Sequence, residues 1–218
     1  RPDIRVEETG YGMRLIALRQ MADGRAHVRV TNQIFPGAIC IPMSREMTIT
    51  QWHVPVDDET CYWYSMFTSF GAPVDKETMR AQRLKEHRLP DYAPLKNRRN
   101  DYGYDPAEQQ GLTYTGMGLD INVHDQWAVE SMGPIQDRTG EHLGRTDVGI
   151  IRYRRMLRAA IEALEAGSPE ALPMQEQGAG RLRGPVAIDA IGPGDEWERL
   201  WVEADAGRRA GAPWAAGL

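Results

Sequence analysis

Strand-like stretches separated by tight-turn signals fill the first 70 residues, and this pattern limits the possible folds most strongly. Asp23-Gly24 is a strong turn signal, and His27 to Pro36 alternates apolar and polar side chains as a half-buried strand does. Met47 to Val54 and Thr60 to Phe70 are rich in β-branched and aromatic residues, with the Asp57-Asp58 turn between them. Such a meander predicts a curved antiparallel sheet with one face on the core.

The segment from Thr146 to Ala166 has the pattern of one long amphipathic helix. Thr146 is a good N-cap, and Gly167 is a good C-terminal stop. Apolar side chains recur at helical spacing, at Ile150, Tyr153, Leu157, Ile161 and Leu164. A curved antiparallel sheet followed by one long, late helix predicts an α+β fold of the helix-grip form, in which the sheet wraps around that helix.

Residues 1–166 are therefore expected to form one domain with a long insertion at about 71–124, where periodicity fades and Pro, Gly, Asn and charged residues dominate. One short helix is expected in this insertion, from Asp75 to Lys85. Residues 167–218 form a C-terminal extension rich in Gly, Pro and Ala that is expected to be partly irregular, with a short helix over Asp195 to Ala204.

The composition excludes several classes of function. A formal net charge of −5 argues against a broad nucleic-acid or anionic-membrane surface. No apolar run approaches the roughly 20 residues that cross a bilayer, and the chain opens on Arg1-Pro2-Asp3 without a charged-then-apolar leader, so we expect a cytoplasmic protein. The two cysteines, Cys40 and Cys61, are too few for a disulfide framework, a zinc site or an iron–sulfur cluster, and both are expected to be buried thiols.

One carboxylate stands out among the polar residues. Asp137 lies in a short Gly-Pro-Ile-Gln-Asp-Arg connection between a short amphipathic helix and the long one. An aspartate at such a point is most often a cap or a turn residue. It also suits a metal ligand, because the rigid Gly133-Pro134 approach and the long helix after it would hold a short side chain in place.

The segment from Asp125 to Arg155, DQWAVESMGPIQDRTGEHLGRTDVGIIRYRR, resembles the C-terminal catalytic region of Rieske-type non-haem iron oxygenases. The resemblance is to the branch that contains phthalate dioxygenase and related aromatic O-demethylases. Glu7-Thr9-Gly10-Tyr11-Gly12 and Trp52-Val54-Pro55-Asp57-Asp58 also resemble strands of that family. The resemblance covers most of residues 3 to 166 and is weaker between 71 and 124.

The resemblance implies that Asp137 is the carboxylate ligand of a mononuclear Fe(II). Such enzymes hold the iron with two His and one carboxylate, and leave the remaining positions open. The two His ligands are expected upstream of Arg1, and the N-terminal Rieske domain with its 2Fe–2S cluster is also absent from this chain. His124 and His142 are the two histidines of this chain that could complete such a site with Asp137, but an exposed or capping imidazole is the commoner outcome for each.

The resemblance further implies an enzyme that hydroxylates, dihydroxylates or O-demethylates an aromatic, carboxylated substrate with O2 and electrons from NAD(P)H. The expected partners are a flavin and iron–sulfur reductase and further copies of the chain, commonly in a trimer. Arg14 and Arg19 lie on a predicted strand, where an inward arginine would clamp a substrate carboxylate and an outward one would be solvated. Four aromatic side chains on the predicted strands would either line a pocket or belong to the sheet core: Trp52, Tyr62, Trp63 and Tyr64.

Two functions from other classes remain open at this point. A helix-grip domain also forms an apolar cavity that carries hydrophobic small molecules without a metal, and fold alone does not decide between carrier and enzyme. A cofactor-free hydrolase or cyclase is the weaker option, because no Ser–His or Cys–His arrangement is evident. The sequence does not identify the substrate or the oxidation reaction.

Overall fold

A computed structural model of the chain describes residues 1–168 and 184–214. They form two compact units. Unit 1 comprises Arg1–Val56, Cys61–Pro73 and the chain from His142 onward, and unit 2 comprises Asp57–Thr60 and Val74–Glu141. None of the helices within the described ranges is long and apolar enough to cross a bilayer.

Unit 1 is built on an antiparallel sheet that confirms the predicted meander. Its strands in the described residues are β1 Asp3–Thr9, β2 Gly12–Gln20, β3 Arg25–Ile34, β4 Ala38–Pro42, β5 Met47–Pro55, β6 Cys61–Ser69 and β7 Ile188–Pro193. Strands β1 to β6 follow chain order, and β7 pairs with the first part of β3, from Arg25 to Val30. The C-terminal extension therefore completes the sheet.

The sheet begins with a tight hairpin. The chain reverses at Gly10 and Tyr11, and β1 then pairs antiparallel with β2. Gly12 takes a φ of +143°, a conformation that side chains other than glycine rarely adopt. A Cβ atom at Gly12 would lie 2.4 Å from the backbone oxygen of Gln33, so only glycine allows this close pairing of β2 with β3.

The two faces of the sheet carry different helices. On one face, the α5 face, Ile16, Val28 and Val30 form the main core cluster with Trp201 of helix α5, which spans Trp197–Ala210. On the opposite face, the α4 face, the side chain of Leu15 lies against Gly149 at the start of helix α4, which spans Val148–Glu165. These residues alternate along β2 and β3, so the period-2 pattern predicted from the sequence decides which helix each one meets.

The long helix predicted over Thr146 to Ala166 is helix α4, Val148–Glu165. A short 3-10 turn precedes it, so Asp147 rather than Thr146 occupies the cap position. Part of its apolar stripe stays open, since Ile161 is 50% and Leu164 56% exposed. The main core cluster lies under α5 instead, so the described residues support an α+β fold without showing a sheet that wraps α4 along its length.

The two cysteines form no disulfide with each other. Cys40 is buried in β4, and burial raises the pKa of its thiol. Cys61 is exposed, so the prediction of two buried thiols is wrong for this residue. The reason is its place on β6, an edge strand whose first half is largely exposed.

Unit 2 consists of short helices and loops. Its α-helices in the described residues are α1 Lys76–Leu84, α2 Pro106–Gly111 and α3 Ile121–Glu130. Each begins at an aspartate whose side chain accepts a hydrogen bond from a backbone amide of the first turn: Asp75, Asp105 and Asp120. A small cluster of Tyr102, Met117 and Val123 forms the buried apolar centre of this unit. The helix predicted between Asp75 and Lys85 is confirmed.

Tyr102 is expected to control the alkaline stability of unit 2. It is 5% exposed and donates a hydrogen bond of 2.6 Å to Glu130, and desolvation together with Glu130 raises the pKa of its hydroxyl to about 12. This pKa lies above the ordinary value of 10.0, so the stabilisation is fully present below about pH 10 and is lost as the pH rises through about 12. Titration of tyrosinate absorbance should show a late step near pH 12 that Tyr102→Phe removes; an unchanged curve for Tyr102→Phe would contradict the assignment.

Candidate functional site

Asp137 lies in unit 2, where it is exposed and caps the short 3-10 turn Arg138–Gly140. Its Oδ1 atom accepts hydrogen bonds from the Thr139 hydroxyl at 2.7 Å and from the Thr139 backbone amide at 2.9 Å. These two bonds, the hydroxyl first, lower the pKa of the Asp137 carboxyl, so the group is ionised at neutral pH. Asp137 is thus an N-cap, which is one of the two roles predicted for it from the sequence.

The same geometry is compatible with a metal ligand. A ligating carboxylate must be deprotonated and is usually held by a further hydrogen bond. Oδ1 of Asp137 has such bonds from Thr139, and no described residue donates to Oδ2. The described residues contain no cluster of three His, Cys, Asp or Glu able to hold a metal. Since the two His ligands were predicted outside this chain, the ligand role of Asp137 stays a prediction.

The two candidate histidines, His124 and His142, differ in their surroundings. The Nε2 atom of His124 already has two partners in unit 2: it lies 2.8 Å from the Gly118 carbonyl oxygen and 3.0 Å from the Thr115 hydroxyl. His142 belongs to unit 1 and is exposed. His124 therefore ties a loop to helix α3, as a capping imidazole does.

Arg14 is engaged in unit 1 by two neighbours. Its Nη1 atom donates to Glu7, the residue directly opposite on β1, at 2.9 Å. Its guanidinium also lies 4.9 Å from the centre of the Trp201 ring, on the α5 face. Arg14 would have to leave both groups to clamp a substrate carboxylate. Arg19, the other candidate, approaches the Nδ1 atom of His27 at 3.4 Å.

A cleft of about 370 Å³ lies on the opposite, α4 face of unit 1, between the sheet and the first turns of α4. Its lining is mostly apolar and comes from β2, the β3–β4 turn, β4, β5 and α4: Met13, Leu15, Gln33, Pro36, Gly37, Ala38, Ile39, His53, Gly149, Ile150 and Tyr153. Its volume lies at the lower end of the range of small-molecule sites, and the cleft is largely open to solvent. The sequence alone does not reveal this cleft, because its walls come from distant segments: Pro36 and Tyr153 are 117 residues apart.

The Pro36 carbonyl oxygen joins the two walls of the cleft. It accepts hydrogen bonds from the Tyr153 hydroxyl at 2.8 Å and from Nε2 of Gln33 at 3.1 Å. Burial raises the pKa of Tyr153, so its hydroxyl stays protonated. The Oε1 atom of Gln33 is buried and receives no hydrogen bond from a described residue. Neutral hydrogen-bonding groups therefore line this end of the cleft.

His53 supplies the remaining polar side chain of the cleft. Its ring stacks on Trp63 with centroids 5.6 Å apart and an angle of 22° between the planes. Desolvation lowers the pKa of the imidazole, and a hydrogen bond with the Gly37 backbone partly opposes this shift. At neutral pH the ring is therefore uncharged, with one nitrogen that donates and one that accepts.

The predicted aromatic group is divided between the faces of the sheet. Trp52 pairs with Tyr64 across β5 and β6, and Tyr62 lies beside Tyr64 with ring centroids 6.0 Å apart. These three side chains are exposed and lie on the face opposite to His53. Only Trp63 belongs to the cleft region, through its contact with His53.

Comparison with known proteins places the sheet and both units in one family. The family model described as LigXa C-terminal domain like matches residues 1–203. The phthalate 4,5-dioxygenase oxygenase subunit of Pseudomonas putida is 31% identical over 176 residues, which are 76% of this chain and 39% of that protein. The 3-chlorobenzoate-3,4-dioxygenase oxygenase subunit of Comamonas testosteroni is 29% identical over 184 residues, 76% of this chain and 42% of that protein. The chain thus spans about two fifths of the curated relatives it matches.

Proposed function

The chain belongs to the LigXa C-terminal domain-like family and is a Rieske oxygenase C-terminal domain, and we propose that it is the catalytic part of an oxygenase subunit that oxidises an aromatic ring. The observation that carries this proposal is the family match over residues 1–203, together with two relatives that are both dioxygenase oxygenase subunits. The reaction would consume O2 and two electrons from NAD(P)H, delivered by a reductase.

Asp137 is proposed as the carboxylate ligand of a mononuclear iron. Asp137 is ionised, its Oδ1 atom is fixed by Thr139, and its Oδ2 atom accepts no hydrogen bond from another part of the described chain. These features fit the needs of such a ligand. When bound, the iron would supply the oxygen chemistry, while this chain would hold the metal and position the ring. The other two ligands would be His residues from the part of the subunit that precedes this chain, which would also hold the 2Fe–2S Rieske cluster.

A carboxylated aromatic substrate is supported by the names of the two relatives, which act on phthalate and on 3-chlorobenzoate. Hydroxylation, dihydroxylation and O-demethylation all remain within the proposal, because each uses the same iron and electron supply. A homotrimer, a cytoplasmic location and a helix-grip arrangement of the sheet with α4 belong to the same proposal and rest on the resemblance in sequence.

The test uses the complete oxygenase subunit with its reductase. We expect bound iron and an O2 uptake that depends on NADH and on an aromatic acid, with phthalates and methoxybenzoates as the first substrates. Removal of the iron by a chelator should abolish O2 uptake, and Fe(II) should restore it. An iron-loaded, reducible subunit that consumes no O2 with any aromatic substrate would contradict the proposed function.

The apolar cleft of unit 1 favours a second candidate, a metal-free module that binds a hydrophobic small molecule. The two candidates differ in one measurement. A carrier would bind its ligand without consuming O2 or NADH, whereas the oxygenase would convert it.

A further inference from the structure

Both hydrogen bonds that Asp137 accepts end on the same carboxylate oxygen. The Thr139 hydroxyl donates to Oδ1 at 2.7 Å, and the Thr139 backbone amide donates to the same atom at 2.9 Å. Each oxygen of a carboxylate has about two lone-pair sites, so these two donors occupy both sites of Oδ1. The lone pairs of Oδ2 are therefore the ones that Asp137 can offer to a further group.

The aspartate caps of this protein do not all share this pattern. Asp75 divides its bonds, because its Oδ1 atom accepts from the Thr78 amide at 3.0 Å and its Oδ2 atom from the Thr78 hydroxyl at 2.7 Å. Asp57 has the one-oxygen pattern, since its Oδ1 atom accepts from the Thr60 hydroxyl at 2.8 Å and from the Thr60 amide at 2.7 Å. Asp57 thus repeats the arrangement of Asp137 at a position for which no metal is proposed.

The negative charge of Asp137 is not used in an ion pair within the part of the chain that the structure describes. Other aspartates are neutralised by arginine: Asp189 lies 2.6 Å from Arg29, and Asp120 pairs with Arg83. An unpaired carboxylate with one oxygen open to solvent can attract a cation without first giving up another partner. The charge and the open Oδ2 atom of Asp137 therefore serve the same end.

We propose that Asp137 binds the iron through Oδ2 alone, and that Thr139 is a positioning residue that reserves Oδ1 and holds the carboxylate in this orientation. The inference rests on the proposed function, in which Asp137 is the iron ligand. An aspartate held in this way occupies one coordination position rather than two. A site of two His and one carboxylate works with open positions on the metal, and binding through one oxygen leaves one more of them open than binding through both.

The first test is the Fe(II) affinity of the complete oxygenase subunit, measured by competition with a chelator. Thr139→Val replaces the hydroxyl by a methyl group of similar size and keeps the backbone amide. We expect it to bind Fe(II) about 10-fold to 100-fold more weakly, as is usual when a partner of a metal ligand is lost. Thr139→Ser restores a hydroxyl and should bind Fe(II) about as tightly as the unchanged protein.

The second test shows which oxygens coordinate the metal. In the infrared difference spectrum between iron-loaded and iron-free subunit, the antisymmetric and symmetric carboxylate bands lie far apart when one oxygen binds and close together when both do. Aspartate labelled with carbon-13 in its side-chain carboxyl shifts these bands and so identifies them. We expect a wide separation in the unchanged protein and in Thr139→Ser. At saturating Fe(II) the separation should narrow in Thr139→Val, because Oδ1 then regains a free lone pair.

Thr60→Val is the matched control for both measurements. It removes a hydroxyl that donates to Oδ1 of Asp57 in the same one-oxygen pattern, and both residues belong to unit 2. Iron affinity and the infrared bands should stay at the level of the unchanged protein. An equal loss of affinity in Thr60→Val and Thr139→Val would show a general effect on unit 2 and would overturn the role of Thr139.

Two further results would overturn the inference: a narrow band separation in the unchanged protein, or an unchanged affinity and spectrum in Thr139→Val. Asp137→Asn distinguishes this failure from failure of the proposed ligand. If Asp137→Asn loses its iron while Thr139→Val binds Fe(II) normally, Asp137 is the ligand and the role of Thr139 is wrong. If Asp137→Asn keeps its iron, the ligand assignment itself is wrong.

Discussion

Replacement of Asp137 by either alanine or asparagine in the complete oxygenase subunit is expected to remove the bound iron and to lower turnover by about 100-fold or more. Loss of an outer-shell partner of a metal ligand already costs 10-fold to 100-fold in affinity or activity, so loss of the ligand itself should cost at least as much. Neither replacement offers an anionic oxygen to the metal. The measurement is iron content per subunit and NADH-coupled O2 uptake in the same preparations.

The asparagine variant separates the ligand role from the cap that the structure shows. Asparagine and aspartate are about equally good N-caps, whereas alanine lowers stability by about 1 kcal/mol. If Asp137 only capped the turn at Arg138–Gly140, the asparagine variant would keep its iron and its turnover. Normal iron content in Asp137→Asn would therefore remove Asp137 from the proposed site.

Asp75 provides a matched control in the same unit. Its carboxylate accepts hydrogen bonds from the Thr78 hydroxyl at 2.7 Å and the Thr78 backbone amide at 3.0 Å, as that of Asp137 does from Thr139. It is also exposed, and these two bonds lower the pKa of its carboxyl as well. Asp75→Asn should leave iron content and turnover at the level of the unchanged protein. A parallel loss in both variants would indicate a general effect on unit 2 rather than a ligand.

Replacement of Asp205 by alanine is expected to lower the free energy of unfolding by about 3–5 kcal/mol, the usual cost of removing one partner from a buried ion pair. Asp205 is 5% exposed and lies between Arg208 and Arg209, with Nε of Arg209 at 2.7 Å from one carboxylate oxygen. The side chain of Arg208 is only 7% exposed. Without Asp205 its guanidinium would remain buried with its charge uncompensated.

The surroundings of this pair explain why it cannot simply turn outward. The Arg208 guanidinium lies 3.9 Å from the centre of the Phe70 ring and donates to the Ala187 carbonyl oxygen at 2.9 Å. Trp214 packs on the same Phe70 ring at 5.4 Å. Urea unfolding of Asp205→Ala followed by tryptophan fluorescence measures the loss.

Glu203 offers the control for this measurement. It pairs with Arg199 at 2.9 Å on the exposed side of the same helix, where both side chains are more than 60% exposed. Such surface pairs contribute about 0.3–0.5 kcal/mol, so Glu203→Ala should stay close to the unchanged protein. Equal stability of the Asp205 and Glu203 variants would show that the buried pair contributes no more than a surface pair.

The strands of unit 1 follow from local pattern, whereas their assembly does not. Alternation over His27 to Pro36 and the turn at Asp23-Gly24 predict β3 and its hairpin, because both signals lie within a few neighbouring residues. The pairing of β3 with β7 joins segments with about 160 residues between them, and no local period encodes it. For the same reason the sequence does not predict that α5 covers the sheet, where its Trp201 joins the core cluster of Ile16, near the other end of the chain.

The candidate functional residues also divide into those that local sequence predicts and those that it does not. The Gly133-Pro134 approach and the helix after it allowed the position of Asp137 to be singled out from the sequence, and the cap geometry was one of its two readings. The cleft could not be found in this way, since His53 and Tyr153 are brought together only by packing of α4 on the sheet. Sequence spacing can therefore predict a site whose residues are neighbours in the chain. It cannot predict a site whose residues come together only in the folded protein.

The pairing of β3 with the end of the chain has a consequence for biosynthesis. His27 hydrogen-bonds to Asp189, 162 residues later, and Val28 and Val30 complete their cluster only when α5 arrives. While the ribosome is still making the chain, the first half of β3 therefore keeps an open edge beside β2. Such late, long-range pairings slow folding and leave nascent strands open to aggregation. The topology of this sheet thus exposes one edge of β3 until the last part of the chain has been synthesised.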